Sequence, residues 1–211
     1  MHDPLLTPFG EEQCITLRGT FPYHDKICLM ISSPLCRTIH TAVLSFTPAL
    51  SNGHCHPNII ALPELQETSD FACDTGSDPD KLRKEMREKH IPVDLSLVKS
   101  GWNVKTLDNK WAPTPEALTK RAREARMHIR DRVLELQRGG EQDPELVVVT
   151  HGGFLHYFTE DWEDSGTYNG EFQDFSASIF HLCTMEFRLS FRSGFDMTAF
   201  LLRSSIQERQ N

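Results

Sequence analysis

Three short apolar runs constrain the fold of this chain more than any other feature. They are Lys26–Ile31, Ile59–Leu62 and Leu146–Val149, and polar residues do not alternate with the apolar ones. Such runs are typical of strands covered on both faces, because a strand with one wet face alternates apolar and polar residues. Helical patterns lie between the runs. The sequence therefore predicts an α/β protein with three α/β/α layers around a mostly parallel sheet.

Proline and capping residues mark the starts of three helices. Thr7 before Pro8 predicts a helix over Pro8–Leu17, and Ser33 before Pro34 predicts one over Pro34–Phe46. Thr114 and Pro115 open the clearest helix, which Gly139 and Gly140 end. Its apolar residues recur every three or four positions and predict a buried stripe, while the arginine-rich face is expected to be solvated. The stripe consists of Leu118, Ala122, Ala125, Ile129, Val133 and Leu136.

The length of 211 residues predicts one domain, over residues 1–203. Glycine and proline residues set off segment 73–113 as an insertion with one charged helix, residues 80–89. An apolar helix is predicted over 154–162 and two late strands over 175–183 and 186–191, with their phenylalanines in the core. Residues 204–211 read as a polar tail. The sequence does not predict an oligomeric state.

Composition excludes several classes of partner. Lys and Arg number 22 against 30 Asp and Glu, so the net charge of −8 disfavours nucleic acids and anionic membranes. No apolar run approaches the ~20 residues of a membrane span, and no leader precedes the first helix, so the chain is expected to be cytoplasmic. Six cysteines without a Cys-x-x-Cys pair predict reduced thiols. His54-Cys55-His56 is interpreted as a polar turn, and neither a metal nor another cofactor is predicted.

Polar residues follow two of the predicted strands, where ligands collect in open α/β sheets. In Ser33–Thr38 a helix N-terminus offers free N–H groups, and Arg37 adds a guanidinium that fits phosphate oxygens. In Thr150–Gly153, His151 can donate to a phosphoryl oxygen, while Gly152 and its neighbour permit close backbone approach. Taken singly, a core histidine and a surface ion pair would also explain these residues. Together they predict a small phosphorylated substrate or another anion as ligand.

Four segments, in order, resemble motifs of the histidine phosphatase superfamily, the phosphoglycerate-mutase-like proteins. Residues 3–13 are similar to its Asp-x-x-Leu-Thr-x-x-Gly-x-x-Gln opening, and residues 33–42 match its Ser-Pro-x-x-Arg-x-x-x-Thr-Ala signature. Residues 63–67 resemble the Leu-x-Glu strand end, and residues 150–153 the second-histidine motif. The closest resemblance is to fungal phosphoglycerate-mutase-like proteins, judging by residues 73–78, 101–103, 111–115 and 153–156.

The resemblance implies a phosphohistidine mechanism. An imidazole attacks phosphorus, a carboxylic acid protonates the leaving alcohol, and water then releases phosphate. Arg37 would clamp the phosphate, His151 would donate to it, and Gly152 would let the backbone approach it. Glu67 fits the family spacing for the acid better than Glu64, which stays the alternative.

One family element has no match. The family opens with a strand ending in Arg-His-Gly, whose histidine is the nucleophile, and this sequence contains no such segment. The first strand is therefore expected to be absent from the sheet, which would leave unpaired edges where it belongs. Either Met1 is an internal methionine of a longer phosphatase acting on a small phosphomonoester, which is the favoured interpretation, or the chain is a catalytically inactive or repurposed member of the fold, such as a phosphate-binding protein, a lyase or an isomerase. The substrate's identity is not predicted.

Overall fold

The computed structural model of the chain describes residues 1–54 and 56–160, and the backbone of residues 179–182, 185–194 and 197–205. No helix of this described part is both long and apolar enough to cross a membrane. The helices are α1 (Pro8–Thr20), α2 (Cys36–Ser51), α3 (Pro79–Glu88), α4 (Pro115–Arg138) and α5 (Gly152–Thr159). The strands are β1 (Ile27–Ser32), β2 (Ile59–Ala61), β3 (Val93–Asp94), β4 (Glu145–Thr150), β5 (Ile179–Leu182), β6 (Met185–Gly194) and β7 (Met197–Ser205).

Four parallel strands form the half of the sheet that carries the polar strand ends. Their order is β3-β2-β1-β4. Ile31 of β1 pairs with Ile60 of β2 on one side and with Val148 of β4 on the other. Every residue of β1 and β4 is buried, as expected for strands covered on both faces. The carboxyl ends of β1 and β4 therefore lie side by side, and the predicted α/β class is confirmed.

Helices cover both faces of these strands. Leu29 and Ile31 of β1 pack in a core shared with α4 and α5, whereas Met30, between them, packs in a core shared with α2. Except for Leu118, the α4 stripe lies in the first of these cores, as the helical spacing predicts. The fully buried members of that stripe are Ala122, Ala125, Ile129 and Val133.

The sheet continues from β4 with three antiparallel strands in the order β7-β6-β5. The sequence predicts two late strands, and β7 is a third strand that it does not predict. Because β7 pairs with β4 on the side away from β1, the expectation of an unpaired edge there is wrong for the described backbone. The predicted helix end at 160–162, the packing of the late phenylalanines and the tail beyond residue 205 lie, wholly or in part, outside the described residues.

Segment 73–113 packs beside α2. Leu82 and Met86 of α3 share a core with Leu35 and Ile39, and Trp102 is 1% exposed in the same core. A Cβ on Gly76 would lie 2.1 Å from the Trp102 ring, so only glycine leaves room for this indole. The segment therefore supplies core contacts next to the helix that carries Arg37.

The start of α2 differs from the prediction. The helix begins at Cys36 rather than at Pro34, because Leu35 is still extended with φ −66° and ψ 142°. It also runs past the predicted end at Phe46, where a non-helical residue marks a kink two positions before Pro48. The two-residue delay at the start leaves Ser33 in the loop, free to reach across to the end of β4.

Candidate functional site

The ends of β1 and β4 bring Arg37 and His151 together. Ser33 follows β1, and its N–H donates to Val149 of β4 over 2.9 Å. Arg37 lies in the first turn of α2, and its Nη2 is 3.1 Å from His151 Nδ1. His151 Nε2 is 2.9 Å from Ser33 Oγ. Two residues separated by more than a hundred positions are thus in direct contact, at the place the strand order predicts.

These contacts determine the protonation of His151. A guanidinium can only donate, so Nδ1 accepts from Arg37 and the ring hydrogen lies on Nε2, where it donates to Ser33 Oγ. The ring is fully buried. Burial, followed by the charges of Arg37, Lys105 and Arg121, lowers the pKa of His151 well below its usual value. His151 is therefore a neutral imidazole with one N–H group aimed at the β1 end.

Glu67 lies against the start of α5. It is 8% exposed, and its Oε1 accepts from the Thr68 N–H over 2.7 Å. A Cβ on Gly153 would lie 2.8 Å from that oxygen, so glycine is required where α5 passes the carboxyl group. Burial is the largest cause that raises the pKa of Glu67 above its usual range. Gly152, the other predicted site glycine, begins α5 directly after His151.

Glu64, the alternative acid, has a different environment. Its Oε1 accepts from Lys110 Nζ over 2.8 Å in a pair that is half-exposed on the lysine side. The two carboxylates are three residues apart, yet only Glu67 lies beside the helix that follows His151. The structure therefore separates the two candidates by position.

Asp74 faces Arg37. Its Oδ1 lies 3.0 Å from Arg37 Nη2, and its Oδ2 accepts from Ser69 Oγ over 2.5 Å. The Cys73 carbonyl accepts from Arg37 Nη1 over 2.5 Å as well. The sequence does not predict this pair, since nothing in the local pattern links residue 74 to residue 37. The guanidinium thus already has an internal counter-charge.

A carboxylate of this chain also caps the N-terminus of α2. The Cys36 N–H donates to Asp3 Oδ1 over 2.9 Å, and Ser77 N–H donates to Asp3 Oδ2 over 2.8 Å. Asp3 is 7% exposed and holds a left-handed backbone with φ 44°. The expectation of free N–H groups at this helix start is therefore wrong at Cys36, because a buried carboxylate caps the helix. Asp3 lies in residues 3–13, one of the segments that resemble the family motifs, and this is the sequence signal that points to Asp3.

Two buried cations hold the loop that carries Glu67 and Asp74. We call residues 66–74 the acid loop. Lys105 Nζ donates to the Glu67, Ser69 and Asp74 carbonyls over 2.8, 2.5 and 2.8 Å. Burial, with the charge of Arg121, lowers the pKa of Lys105 to about 8. Neither the sequence nor the resemblance pointed to this lysine, which lies in an irregular segment.

Arg121 is the second buried cation that holds the acid loop, and we call Lys105 and Arg121 together the cation clamp. Its Nη2 donates to the Gln66 and Glu67 carbonyls over 2.8 and 3.2 Å. The guanidinium lies 4.5 Å from the centre of the Phe154 ring, and the residue is 1% exposed. The expectation that the α4 arginines are solvated is therefore wrong for Arg121. It stands three residues after Leu118, at the edge of the apolar stripe, and that spacing was the missed signal.

Comparison with known proteins shows which family the chain belongs to. The sequence model of the histidine phosphatase superfamily (branch 1) matches residues 1–190. A probable phosphatase of Schizosaccharomyces pombe is 32% identical over 85 residues, which make up 40% of this chain and 38% of that protein. The match thus spans less than half of either protein. From the superfamily match over nearly its whole length, the chain belongs to the histidine phosphatase superfamily.

Proposed function

We propose that this chain is a phosphoglycerate-mutase-like phosphatase that hydrolyses a small phosphomonoester by a phosphohistidine mechanism. One observation carries the proposal, the 3.1 Å contact between Arg37 Nη2 and His151 Nδ1 at adjoining strand ends. A cation and a neutral N–H donor there suit the oxygens of a transferring phosphoryl group. Glu67 beside them supplies the acid that the leaving alcohol needs.

Binding uses donors of two kinds. Once Asp74 is displaced, the guanidinium of Arg37 offers two N–H groups that match two phosphoryl oxygens. The Nε2–H of His151 turns from Ser33 to a third oxygen, since a neutral imidazole with its hydrogen on Nε2 can donate there. Burial strengthens both contacts because water does not compete for them. Superfamily membership supports this assignment.

Glu67 is suited to transfer a proton in both steps. Its raised pKa favours the protonated form, so it donates its proton to the alkoxide oxygen as the phosphorus–oxygen bond breaks and a phosphorus–nitrogen bond forms. The carboxylate that results takes a proton from the water that attacks phosphorus, and the phosphorus–nitrogen bond breaks. The acid is thereby regenerated and phosphate leaves.

We assign the attack to an imidazole other than that of His151. The Nδ1 lone pair of His151 accepts from Arg37 and its Nε2 carries the ring hydrogen, so neither nitrogen has a free lone pair. In the described ranges, no second imidazole is hydrogen-bonded to Arg37, Glu67 or His151. An Arg-His-Gly segment upstream of Met1, in a longer form of the protein, would supply it. The first experiment therefore tests whether a longer form of the protein with this histidine exists.

A second candidate function is anion binding without turnover, or a repurposed reaction in the same site. The pairing of Arg37 with Asp74 favours this second candidate, because the Asp74 carboxylate accepts from the guanidinium that would otherwise bind phosphate. Asp3 at the start of α2 acts in the same direction. In a phosphatase, substrate would have to displace Asp74 from Arg37.

The test begins with the protein purified from its native source. Its intact mass is compared with the 24.1 kDa of this sequence, and the same sample is assayed for phosphate release from a panel of small phosphomonoesters. Protein trapped during turnover is analysed for an acid-labile, base-stable phosphate, the signature of phosphohistidine.

Phosphate release together with a phosphohistidine supports the phosphatase. Vanadate binding without release or phosphoenzyme supports the second candidate. A protein that neither binds vanadate nor releases phosphate contradicts both assignments.

A further inference from the structure

A second cluster of reactive side chains lies at the opposite end of β1 from the candidate site. Cys28 of β1, His54 of the turn after α2 and Glu141 of the turn after α4 bring one ligand atom each within 4.8 Å of one another. Cys28 Sγ and His54 Nε2 are 3.4 Å apart. Cys28 and Ser33 are five positions apart along extended chain, about 16 Å, so this cluster is separate from the candidate site.

The backbone around His54 is fixed to β1. The His56 N–H donates to the carbonyl of Cys28 itself over 2.8 Å. Gly53 takes a left-handed backbone with φ 76°, and the His54 N–H donates to Asn52 Oδ1 over 2.9 Å. The imidazole thus approaches the thiol from a turn that is attached to the same strand residue.

Glu141 is held by the end of α4. Gly140 is left-handed with φ 103°, its N–H donates to the Gln137 carbonyl over 3.0 Å, and the Glu141 N–H donates to the Leu136 carbonyl over 3.1 Å. This pair of bonds is the Schellman arrangement, which fixes the residue after the glycine. Three separate segments therefore present a thiol, an imidazole and a carboxylate from anchored backbone.

The ligand types and spacing suit one class of ion. Zinc binds thiolate at about 2.3 Å and imidazole nitrogen at about 2.0 Å, so two such ligands on a tetrahedral ion lie about 3.5 Å apart. The 3.4 Å between Cys28 and His54 agrees with that separation. A thiolate also selects against magnesium and calcium, which take oxygen ligands.

We propose that Cys28, His54 and Glu141 form a zinc-binding site that joins the start of β1 to the turns before β2 and β4. Cys28 is buried, Glu141 is half-buried and His54 is exposed, so an ion can enter from solvent and keep a water as its fourth ligand. Binding displaces the thiol proton to solvent. Because the cluster lies away from Arg37 and His151, the ion stabilises the fold and does not take part in phosphoryl transfer.

The sequence predicts no metal at His54-Cys55-His56, since no third ligand lies nearby in the sequence. The other two proposed ligands lie far from His54 in the sequence. Cys28 is 26 positions before it, and Glu141 is 87 positions after it. His56 is not among them, and its Nδ1 lies 2.8 Å from the Asn58 carbonyl. This neighbouring histidine provides a matched control.

The test is a titration of the reduced, metal-free full chain with Zn²⁺ and, in parallel, with Co²⁺. We expect one equivalent of Zn²⁺ to bind and to raise the thermal midpoint by several degrees, because the ion binds the folded state. Co²⁺ should give the strong ultraviolet absorption of a thiolate–cobalt bond. Absence of saturable binding at one equivalent would overturn the proposal.

Variants identify the ligands. His54→Ala changes an exposed side chain and should fold, and we expect at least a tenfold loss of Zn²⁺ affinity, whereas His56→Ala should bind as the parent does. Cys28→Ser should remove the thiolate–cobalt absorption, and Cys55→Ser should keep it. Equal affinities for His54→Ala and His56→Ala, or loss of the absorption only in Cys55→Ser, would show that these residues are not the ligands.

Discussion

The candidate site has two halves that are built by different means. The strand-end half, Ser33, Arg37 and His151, is positioned by regular elements, since β1 and β4 are neighbours and α2 starts just beyond Ser33. The acid loop of residues 66–74 contains only one short 3₁₀ turn, Ala72–Asp74, and no strand or α-helix. It is fixed by Lys105 and Arg121, whose buried charges donate to its carbonyls. Regular structure positions the anion-binding groups, and buried cations position the carboxylates.

Holding the acid loop with buried cations costs free energy. Burying a lysine and an arginine is unfavourable unless their hydrogen bonds are satisfied. Lys105 donates to three carbonyls, yet burial and the charge of Arg121 lower its pKa to about 8, so its charged form is less favourable here than in water. The acid loop is therefore expected to be the part of the site that responds most to changes away from the reacting groups.

The largest effect is expected where the two halves meet. Arg37 contacts His151 of one half and Asp74 of the other, so Arg37→Ala removes the phosphate clamp and leaves Asp74 without its counter-charge. We expect a loss of about 10³ in catalytic efficiency, in line with removal of one charged donor from a reacting anion. Vanadate affinity should fall in parallel.

Arg83→Ala is the matched control for Arg37→Ala. Arg83 pairs with Asp80 on the exposed side of α3, and its loss should leave vanadate binding unchanged. Unchanged vanadate affinity in Arg37→Ala would place the anion site elsewhere.

Glu67→Gln sharpens the comparison by keeping the geometry of the acid loop while removing its acid. Turnover should fall about 10², because an amide donates no proton to the leaving alcohol, and an activated ester with a good leaving group should suffer less. The raised pKa of Glu67 also predicts a stability change. Ionisation is disfavoured in the folded state, so the variant should gain more stability at pH 7 than at pH 4.

Glu64→Gln serves as the comparison for Glu67→Gln. It breaks only the pair with Lys110, and turnover should stay within twofold of the parent. A larger loss of turnover in Glu64→Gln than in Glu67→Gln would transfer the acid role to Glu64.

The two halves also differ in how far the sequence predicts them. Buried strands, capped helices and motif residues are local patterns, so the contact between Arg37 and His151 follows from strand order. Asp74 on Arg37 and Asp3 on Cys36 join distant positions through loops, where no periodicity applies. Arg121 was missed because an arginine at the edge of an apolar stripe is usually solvated.

Lys105→Met removes one of the two residues of the cation clamp from the acid loop. Three carbonyls lose a donor, and we expect a loss of about 2 kcal/mol in the free energy of unfolding at pH 7. The lowered pKa predicts a pH dependence. Between pH 8 and pH 10.5 the unfolded parent binds a proton that the folded parent has lost, so the parent's stability relative to the variant should grow with pH.

Two comparisons show whether Lys105 acts by positioning the acid loop. Lys81→Met removes an exposed lysine of α3 and should change stability by less than about 0.5 kcal/mol. In Lys105→Met, turnover should fall while vanadate affinity, set by Arg37 and His151, stays within a few-fold. Equal losses in both would mean that the strand-end half depends on the clamp as well.

Gly153→Ala tests the junction between α5 and the acid loop, with the smallest expected effect. The new methyl group would lie 2.8 Å from Glu67 Oε1 and 3.0 Å from Thr68 Oγ1, so the carboxyl group has to move by a few tenths of an ångström. We expect about a tenfold loss of turnover, because proton transfer depends on the position of the acid. Gly19→Ala, whose Cβ meets nothing within 4 Å, should instead stabilise α1 by up to about 1 kcal/mol with full turnover. If Gly153→Ala keeps full turnover while its stability falls, the close approach serves packing alone, and the acid loop does not rely on α5 to position Glu67.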